Sequence, residues 1–107
     1  MESQPEYLRK VLTAYSKTPG TIGVVRGPDR LVAAQLYKRG VPLAAVENAL
    51  MLAAARRLVR PDGLPPHPPI RSLAYFLPVI EEVLDLQVSP QYFVYLSDWL
   101  ARHTKRP

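Results

Sequence analysis

Residues 29–60, DRLVAAQLYKRGVPLAAVENALMLAAARRLVR, decide the expected fold, because the tripeptide GVP at 40–42 divides two helix-forming runs. The first run is short, whereas the second is longer and ends in several arginines. A short helix, a glycine turn and a longer basic helix are the parts of a helix-turn-helix, which most often places its second helix in a DNA groove. The stretch therefore predicts a small DNA-binding protein.

The turn matches the helix-turn-helix pattern only in part. Gly40, the apolar Val41 after it and the aliphatic Val46 six positions on all agree with that pattern. Leu36, however, stands where a small residue is usual, and Gln35 where an apolar residue is usual. An αα-hairpin that serves only for packing explains the same residues, so both interpretations stay open.

The rest of the chain predicts three further helices, and thus an all-α fold of about five helices. The expected domain is compact, orthogonal or bundle-like, and contains the helix-turn-helix-like pair. The first helix is expected from a cap at Ser3 to about Ser16. The fourth and fifth are expected over residues 71–87 and 91–103. Pro78 must either kink the fourth helix or mark a new start near it.

Capping residues predict where the other helices begin and end. Asp29 is the expected N-cap of the second helix, and Gly40 is the expected left-handed residue after its last turn. Pro42 can occupy the first turn of the third helix, and Ser89 can cap the fifth. Residues 21–27, TIGVVRG, are expected to form an extended connector or a single short strand.

Length and composition predict one domain, residues 1–107, with a proline-rich connector at 60–70. The connector is expected to follow an extended polyproline II path, although its prolines could also be a ligand for an aromatic-lined groove. No apolar run is long enough to span a membrane, and the N-terminal MESQPEYLRK lacks the apolar core of a secretory signal. Because the chain has no cysteine, we expect it to be cytoplasmic.

Positive and negative charges are concentrated in different parts of the sequence. Residues 7–71 hold eleven lysines or arginines against three acids, whereas residues 72–101 hold four acids and no base. This asymmetry predicts a basic front that attracts a polyanion and an acidic back that repels it. Ordinary solvated surface is the other explanation of the same charges.

The predicted DNA contacts come from basic residues around the two central helices. Phosphate contacts are expected from Arg26, Arg30, Lys38, Arg39, Arg56, Arg57, Arg60 and Arg71. Asn48, near the start of the third helix, could read an adenine, whereas phosphates would repel the neighbouring Glu47. Arginines at the end of a helix can also simply complement its dipole.

Catalytic and metal-binding patterns are missing from the sequence. The two histidines, His67 and His103, lie in the connector and the tail without a partner for nucleophilic catalysis. Without cysteine or paired histidines, the usual zinc sites are excluded. Glu81, Glu82 and Asp85 are expected to be solvated on an outward helix face. The sequence therefore predicts no enzymatic activity, no cofactor and no metal.

Aromatic residues in the last helix favour protein binding as the alternative function. Tyr92, Phe93, Tyr95 and Trp99 are more rings than one helix face readily buries, and Tyr and Trp are frequent interface anchors. Tyr75 is expected to extend this patch. The protein would then be an interaction adaptor whose partner is another protein or, as a homodimer, a second copy of this chain. Filling of the core is the other explanation of these rings.

Two segments resemble parts of DNA-associated proteins. LYKRGVPLAAVENAL (36–50) is similar to the helix-turn-helix stretches of bacterial phage and mobile-element replication or recombination proteins. RSLAYFLPVIEEVL (71–84), followed by YFVYL (92–96), resembles the C-terminal helical modules of such proteins. The resemblance implies DNA replication or mobilisation as the setting, and transcription control would also suit a helix-turn-helix protein.

Overall fold

The computed structural model describes residues 2–59, 67–86 and 90–104, and within them the fold is all-α, as predicted. Five α-helices are described: α1 (Gln4–Lys17), α2 (Gly27–Lys38), α3 (Leu43–Leu58), α4 (Leu77–Asp85) and α5 (Pro90–Thr104). A 3₁₀ turn, Leu73–Phe76, leads directly into α4. Of the two outcomes expected at Pro78, a kink or a new start, the structure shows the new start: Pro78 lies in the first turn of α4, where its missing N–H costs nothing.

The first two helices begin at capping interactions. The Ser3 hydroxyl accepts a hydrogen bond from the Glu6 N–H at 3.4 Å, so α1 starts at the expected cap. The prediction that Asp29 is the N-cap of α2 is wrong, because Arg26 holds that position and Asp29 is the third helical residue. The helix can start earlier because a carboxylate at the third position reaches back to the cap: Asp29 accepts from the Arg26 N–H at 2.8 Å.

The predicted start of α3 is wrong, and the predicted cap of α5 falls on residues that the structure does not describe. Pro42 precedes α3 in an extended conformation and is not in its first turn. Arg60 and the first part of the predicted connector, residues 60–66, lie outside the described residues, as does the predicted cap Ser89.

The segment after α1 is held by one backbone bridge and not by a strand. Ile22 donates its N–H to the Ile70 carbonyl at 2.9 Å, and the Ile70 N–H donates to the Gly20 carbonyl at 2.7 Å. These two bonds form an isolated parallel bridge between Thr21 and Ile70. Of the two expectations for residues 21–27, the structure therefore shows the connector and not the strand; the connector bends at Gly23, Gly27 already belongs to α2, and the bridge lies at the end of the proline-rich segment.

The main core lies between α1, α2, α3 and the 3₁₀ turn with α4. Its largest fully buried apolar side chains are Tyr15, Phe76, Leu36, Leu73 and Ile80. The rings of Tyr15 and Phe76 meet edge to face with centroids 6.1 Å apart, a geometry that adds to the burial energy. Leu84, one helical turn after the buried Ile80 on α4, is exposed.

Helix α3 is the centre of the molecule, as its apolar composition predicts. It packs against α1, α4, α5 and the 3₁₀ turn, and half of its residues are buried: Ala45, Val46, Ala49, Leu50, Leu52, Ala53, Ala54 and Ala55. Helix α5 contributes a second, smaller cluster in which Phe93, Leu96 and Leu100 pack on Leu52, Ala54 and Ala55.

Candidate nucleic-acid interface

The turn between α2 and α3 is closed by local hydrogen bonds. Gly40 has φ = +75°, a left-handed conformation that favours glycine. Its N–H donates to the Tyr37 carbonyl at 3.0 Å, and the Val41 N–H donates to the Leu36 carbonyl at 3.1 Å. These two bonds complete a Schellman motif. The Tyr7 hydroxyl also donates to the Val41 carbonyl at 2.8 Å, which ties the turn to α1.

The two helices joined by this turn do not pack along their lengths. Helix α2 packs mainly on α1, whereas α3 packs on α1, α4 and α5. A plain αα-hairpin, in which the two helices would lie against each other, is therefore not the arrangement of this pair. The turn redirects the chain from the edge of the molecule into its centre.

Helix α3 has only a narrow open face for DNA. Ala44 and Glu47 are exposed, and Asn48 and Met51 are half-buried beside α1. Glu47, Asn48 and Met51 line a cleft of about 290 Å³ together with α1 residues. A recognition helix must enter a major groove about 12 Å wide with its side chains turned outward. The enclosed position of α3 and the anionic Glu47 both weigh against base reading by Asn48.

Two of the arginines that were predicted to contact phosphate form ion pairs with acids of α4 instead. Arg39 donates from Nη2 to both carboxylate oxygens of Glu81, at 3.1 Å for Oε2. Arg56 and Glu82 form a bidentate pair, with 2.8 Å between Nη1 and Oε1. Hydrogen bonding from Arg56 lowers the pKa of the Glu82 carboxyl and keeps it charged.

The expected separation of a basic front from an acidic back is wrong where α4 contacts Arg39 and Arg56. Helix α4 lays Glu81 and Glu82 directly against Arg39 and Arg56, so the opposite charges neutralise each other there. Both pairs are exposed, and such pairs contribute little to stability. Their larger effect is that these arginines carry no uncompensated charge.

Arg57 holds three chain segments together. Its Nη2 donates to the Pro68 carbonyl at 2.8 Å, and its guanidinium stands 5.9 Å from the centroid of the Tyr75 ring. Gly20 lies directly beneath it, since a Cβ there would be 3.1 Å from Nε. Arg57 thus links α3 to the connector, to the 3₁₀ turn and to the segment after α1, which is a structural use of this side chain.

The side chains of three arginines at the edge formed by α1 and α2 form no ion pair among the described residues. Arg9 and Arg30 line a cleft of about 450 Å³ between the two helices, with Leu8, Leu12 and other residues that include no acid. Arg26, at the N-cap of α2, lies one helical turn before Arg30. All three are exposed. We call Arg9, Arg26 and Arg30 the basic edge.

Sequence reasoning selected Arg26 and Arg30 but missed Arg9. Arg9 lies in α1, outside the stretch with the candidate motif, and only the packing of α1 on α2 brings it to the cleft. The one signal for Arg9 in the sequence is that it directly follows Leu8 and precedes Leu12 by three residues on the same helix. Of the other predicted contacts, Lys38 and Arg71 are exposed and form no ion pair within the described ranges.

The predicted interface aromatics of α5 share one flank of that helix. Tyr92 and Tyr95 are 42% and 55% exposed, and Trp99 is half-buried. Trp99 stacks on His103, with centroids 4.0 Å apart and planes at 17°. Tyr75 does not extend this flank, because it contacts Arg57 and Phe76 at another part of the surface. The side chains of α5 that are buried in the core are Phe93, Leu96 and Leu100.

Neither a metal site nor a membrane span is found in the part of the chain that the structure describes. No group of three or more His, Cys, Asp or Glu residues there could hold a metal ion, and no helix there is long and apolar enough to cross a bilayer. Comparisons of this chain with protein-family models, curated proteins and solved structures found no match. The resemblance to phage and mobile-element proteins therefore stays a prediction.

Proposed function

We propose that this protein binds duplex DNA by contacting its phosphate backbone with the basic edge. The observation that carries the proposal is that the side chains of Arg9, Arg26 and Arg30 are exposed and form no ion pair in the described ranges, whereas Arg39 and Arg56 are paired with acids. Guanidinium groups are well suited to phosphates because their planar donors match the phosphate oxygens.

This mode of binding relies on the backbone and not on the bases. Phosphate contacts position a protein on DNA and supply most of its non-specific affinity, but they carry no sequence information. Because α3 is enclosed by α1, α4 and α5, we propose no insertion of that helix into the major groove. The setting we propose is DNA replication, mobilisation or transcription control in the cytoplasm.

The test is DNA binding measured by fluorescence anisotropy across a salt series. Three phosphate contacts would give a slope of log K against log salt of about −3. The double variant Arg9→Gln/Arg30→Gln is expected to weaken binding at low salt by about tenfold or more and to reduce the slope by about 2.

A matched control distinguishes the contribution of the basic edge to DNA affinity from that of the net charge alone. Lys17→Gln/Arg102→Gln removes the same two positive charges from exposed positions elsewhere on the surface, and it should change the affinity much less. Equal losses in the two double variants would reject the basic edge as the site. Absence of binding at low salt, or stronger binding to single-stranded RNA than to duplex DNA, would reject the proposed function itself.

A further inference from the structure

The cleft between α1 and α2 combines an apolar floor with two arginines. Helix α1 lines it with one face, on which Leu8, Arg9 and Leu12 lie within one helical turn of each other. Helix α2 contributes Arg30, and Val25 of the connector completes the apolar floor. The volume of about 450 Å³ is within the range of about 300–1,000 Å³ that is usual for sites of small organic molecules. We call this site the arginine cleft.

The floor of the arginine cleft belongs to the edge of the main core. Leu12 is buried, and Leu8 and Val25 are half-buried and pack against that core. An apolar floor beside two exposed guanidinium groups suits a ligand that joins an anion to a less polar body. A phosphate in the middle of an intact duplex would contact the arginines but leave this floor in contact with water, because the bases stay stacked inside the helix.

The charge and the donors of the cleft match a phosphate group with two negative charges. Arg9 and Arg30 carry one positive charge each and form no ion pair in the described part of the chain. A phosphodiester inside a DNA strand carries one negative charge, whereas a phosphomonoester carries about 1.5 to 2 at pH 7 and has three acceptor oxygens. The Thr13 hydroxyl also lines the cleft and makes no hydrogen bond among the described residues, so it can donate to a further oxygen.

We propose that the arginine cleft binds the terminal nucleotide of a DNA strand whose end carries a phosphate. Arg9 and Arg30 hold the phosphomonoester, and the sugar and base of that nucleotide cover the apolar floor. A terminal nucleotide must leave the base stack to enter the cleft, and this costs least when it is already unpaired. The inference rests on the proposed function, because it uses the same two arginines, and it adds a preference for strand ends to binding of the DNA backbone.

Fluorescence anisotropy with one duplex in several forms tests this preference. A short unpaired overhang that ends in a phosphate, at its 5′ or its 3′ end, should bind about tenfold tighter than the same overhang that ends in a hydroxyl. Equal affinity for the phosphate and hydroxyl forms at both ends, with the blunt duplex still bound, would overturn the inference and leave the proposed function standing. Absence of blunt-duplex binding at low salt would instead reject the proposed function, and the inference with it.

A variant that fills the cleft tests the location of the site without changing the charge. Thr13→Trp introduces a large side chain at an exposed position that lines the cleft. It should abolish the preference for the phosphorylated overhang and change the affinity for the blunt duplex much less. Gln35→Trp is the matched control, because Gln35 is exposed on α2 and does not line the cleft. Circular dichroism checks that both variants stay helical, and an equal preference in the two would overturn the arginine cleft as the site.

A free nucleotide is the other source of the same chemistry. Deoxythymidine 5′-monophosphate, added as a competitor, should displace the phosphorylated overhang only at concentrations far above the dissociation constant of the overhang complex. The reason is that the free nucleotide lacks the neighbouring phosphates, which the rest of the basic edge also contacts. Displacement at concentrations close to that dissociation constant would make the free nucleotide the ligand and would overturn the assignment to strand ends.

Discussion

At the scale of single residues, Asp29 shows how one carboxylate can join segments that are distant in sequence. One of its oxygens accepts the Arg26 N–H at 2.8 Å, and the other accepts the Leu73 N–H at 2.9 Å. The residue is only 1% exposed. Its charge is thus stabilised by two backbone donors, and the start of α2 is fixed to the start of the 3₁₀ turn.

We expect Asp29→Ala to lower the free energy of unfolding by about 3 kcal/mol, because it leaves the buried Leu73 N–H and the partly buried Arg26 N–H without an acceptor. Asp29→Asn keeps one of the two side-chain oxygens and should cost roughly half as much. Urea denaturation followed by circular dichroism measures both losses. Wild-type stability in the alanine variant would show that these hydrogen bonds do not hold the two segments together.

Adjacent residues of the same type can have unrelated roles on a helix. Arg56 and Arg57 are neighbours in sequence, but successive side chains of an α-helix point about 100° apart. Arg56 therefore reaches Glu82 on α4, whereas Arg57 reaches Pro68 and covers Gly20. The presence of two adjacent arginines in the sequence therefore does not by itself distinguish a phosphate contact from either of these structural contacts.

At the scale of elements, α5 is the helix held by the smaller of two hydrophobic clusters. Its buried residues Phe93, Leu96 and Leu100 meet α3, and Val79 and Val83 of α4 lie at the border of the cluster. The remaining helices share the main core around Tyr15 and Phe76. An element that buries fewer side chains opens at a lower free energy than the rest of a domain.

We therefore expect Leu96→Ala to destabilise α5 selectively. Removing this buried side chain should lower the free energy of opening of α5 by about 2–4 kcal/mol. Hydrogen exchange should then become faster in the amides of α5, while those of α1 and α2 keep their protection. A uniform loss of protection throughout the chain would instead show that the two clusters unfold as one cooperative unit.

At the scale of the whole molecule, tertiary packing redistributes the charge that the sequence separates. The acids of α4 are brought to Arg39 and Arg56, whereas Arg9 and Arg30, which line one cleft between α1 and α2, form no ion pair in the described part of the chain. Electrostatic attraction of a polyanion depends on this remaining distribution and not on the number of arginines in a sequence window.

The double variant Arg39→Gln/Glu81→Gln tests this redistribution. It removes one positive and one negative charge that already neutralise each other, so we expect DNA affinity to stay within about twofold of the wild type. The same anisotropy assay, with Arg30→Gln measured beside it, gives the comparison. If the Arg39 variant loses as much affinity as the Arg30 variant, Arg39 leaves Glu81 to contact phosphate and the assignment of the site must change.

The sequence by itself determined the local features of this protein. The five helices, the cap at Ser3 and the left-handed Gly40 were predicted correctly, and the new start at Pro78 was one of two outcomes expected there, because each depends on residues within about one helical turn. The central position of α3 was also predictable, since apolar residues cover most of its circumference. Asp29 was placed at the right end of α2 but wrongly as its N-cap, and neither of its two hydrogen-bond donors was foreseen.

Only the tertiary structure decided which charges are free. The partners of Arg39 and Arg56 lie 42 and 26 residues away along the chain, and Arg9 joins Arg30 only because α1 packs on α2. Helix propensity and capping act over a few residues, whereas an ion pair or a cleft requires segments from different parts of the chain to meet. For that reason the sequence identified the helices and selected Arg26 and Arg30, but it also assigned phosphate contacts to Arg39, Arg56 and Arg57, which the fold neutralises or uses for its own structure.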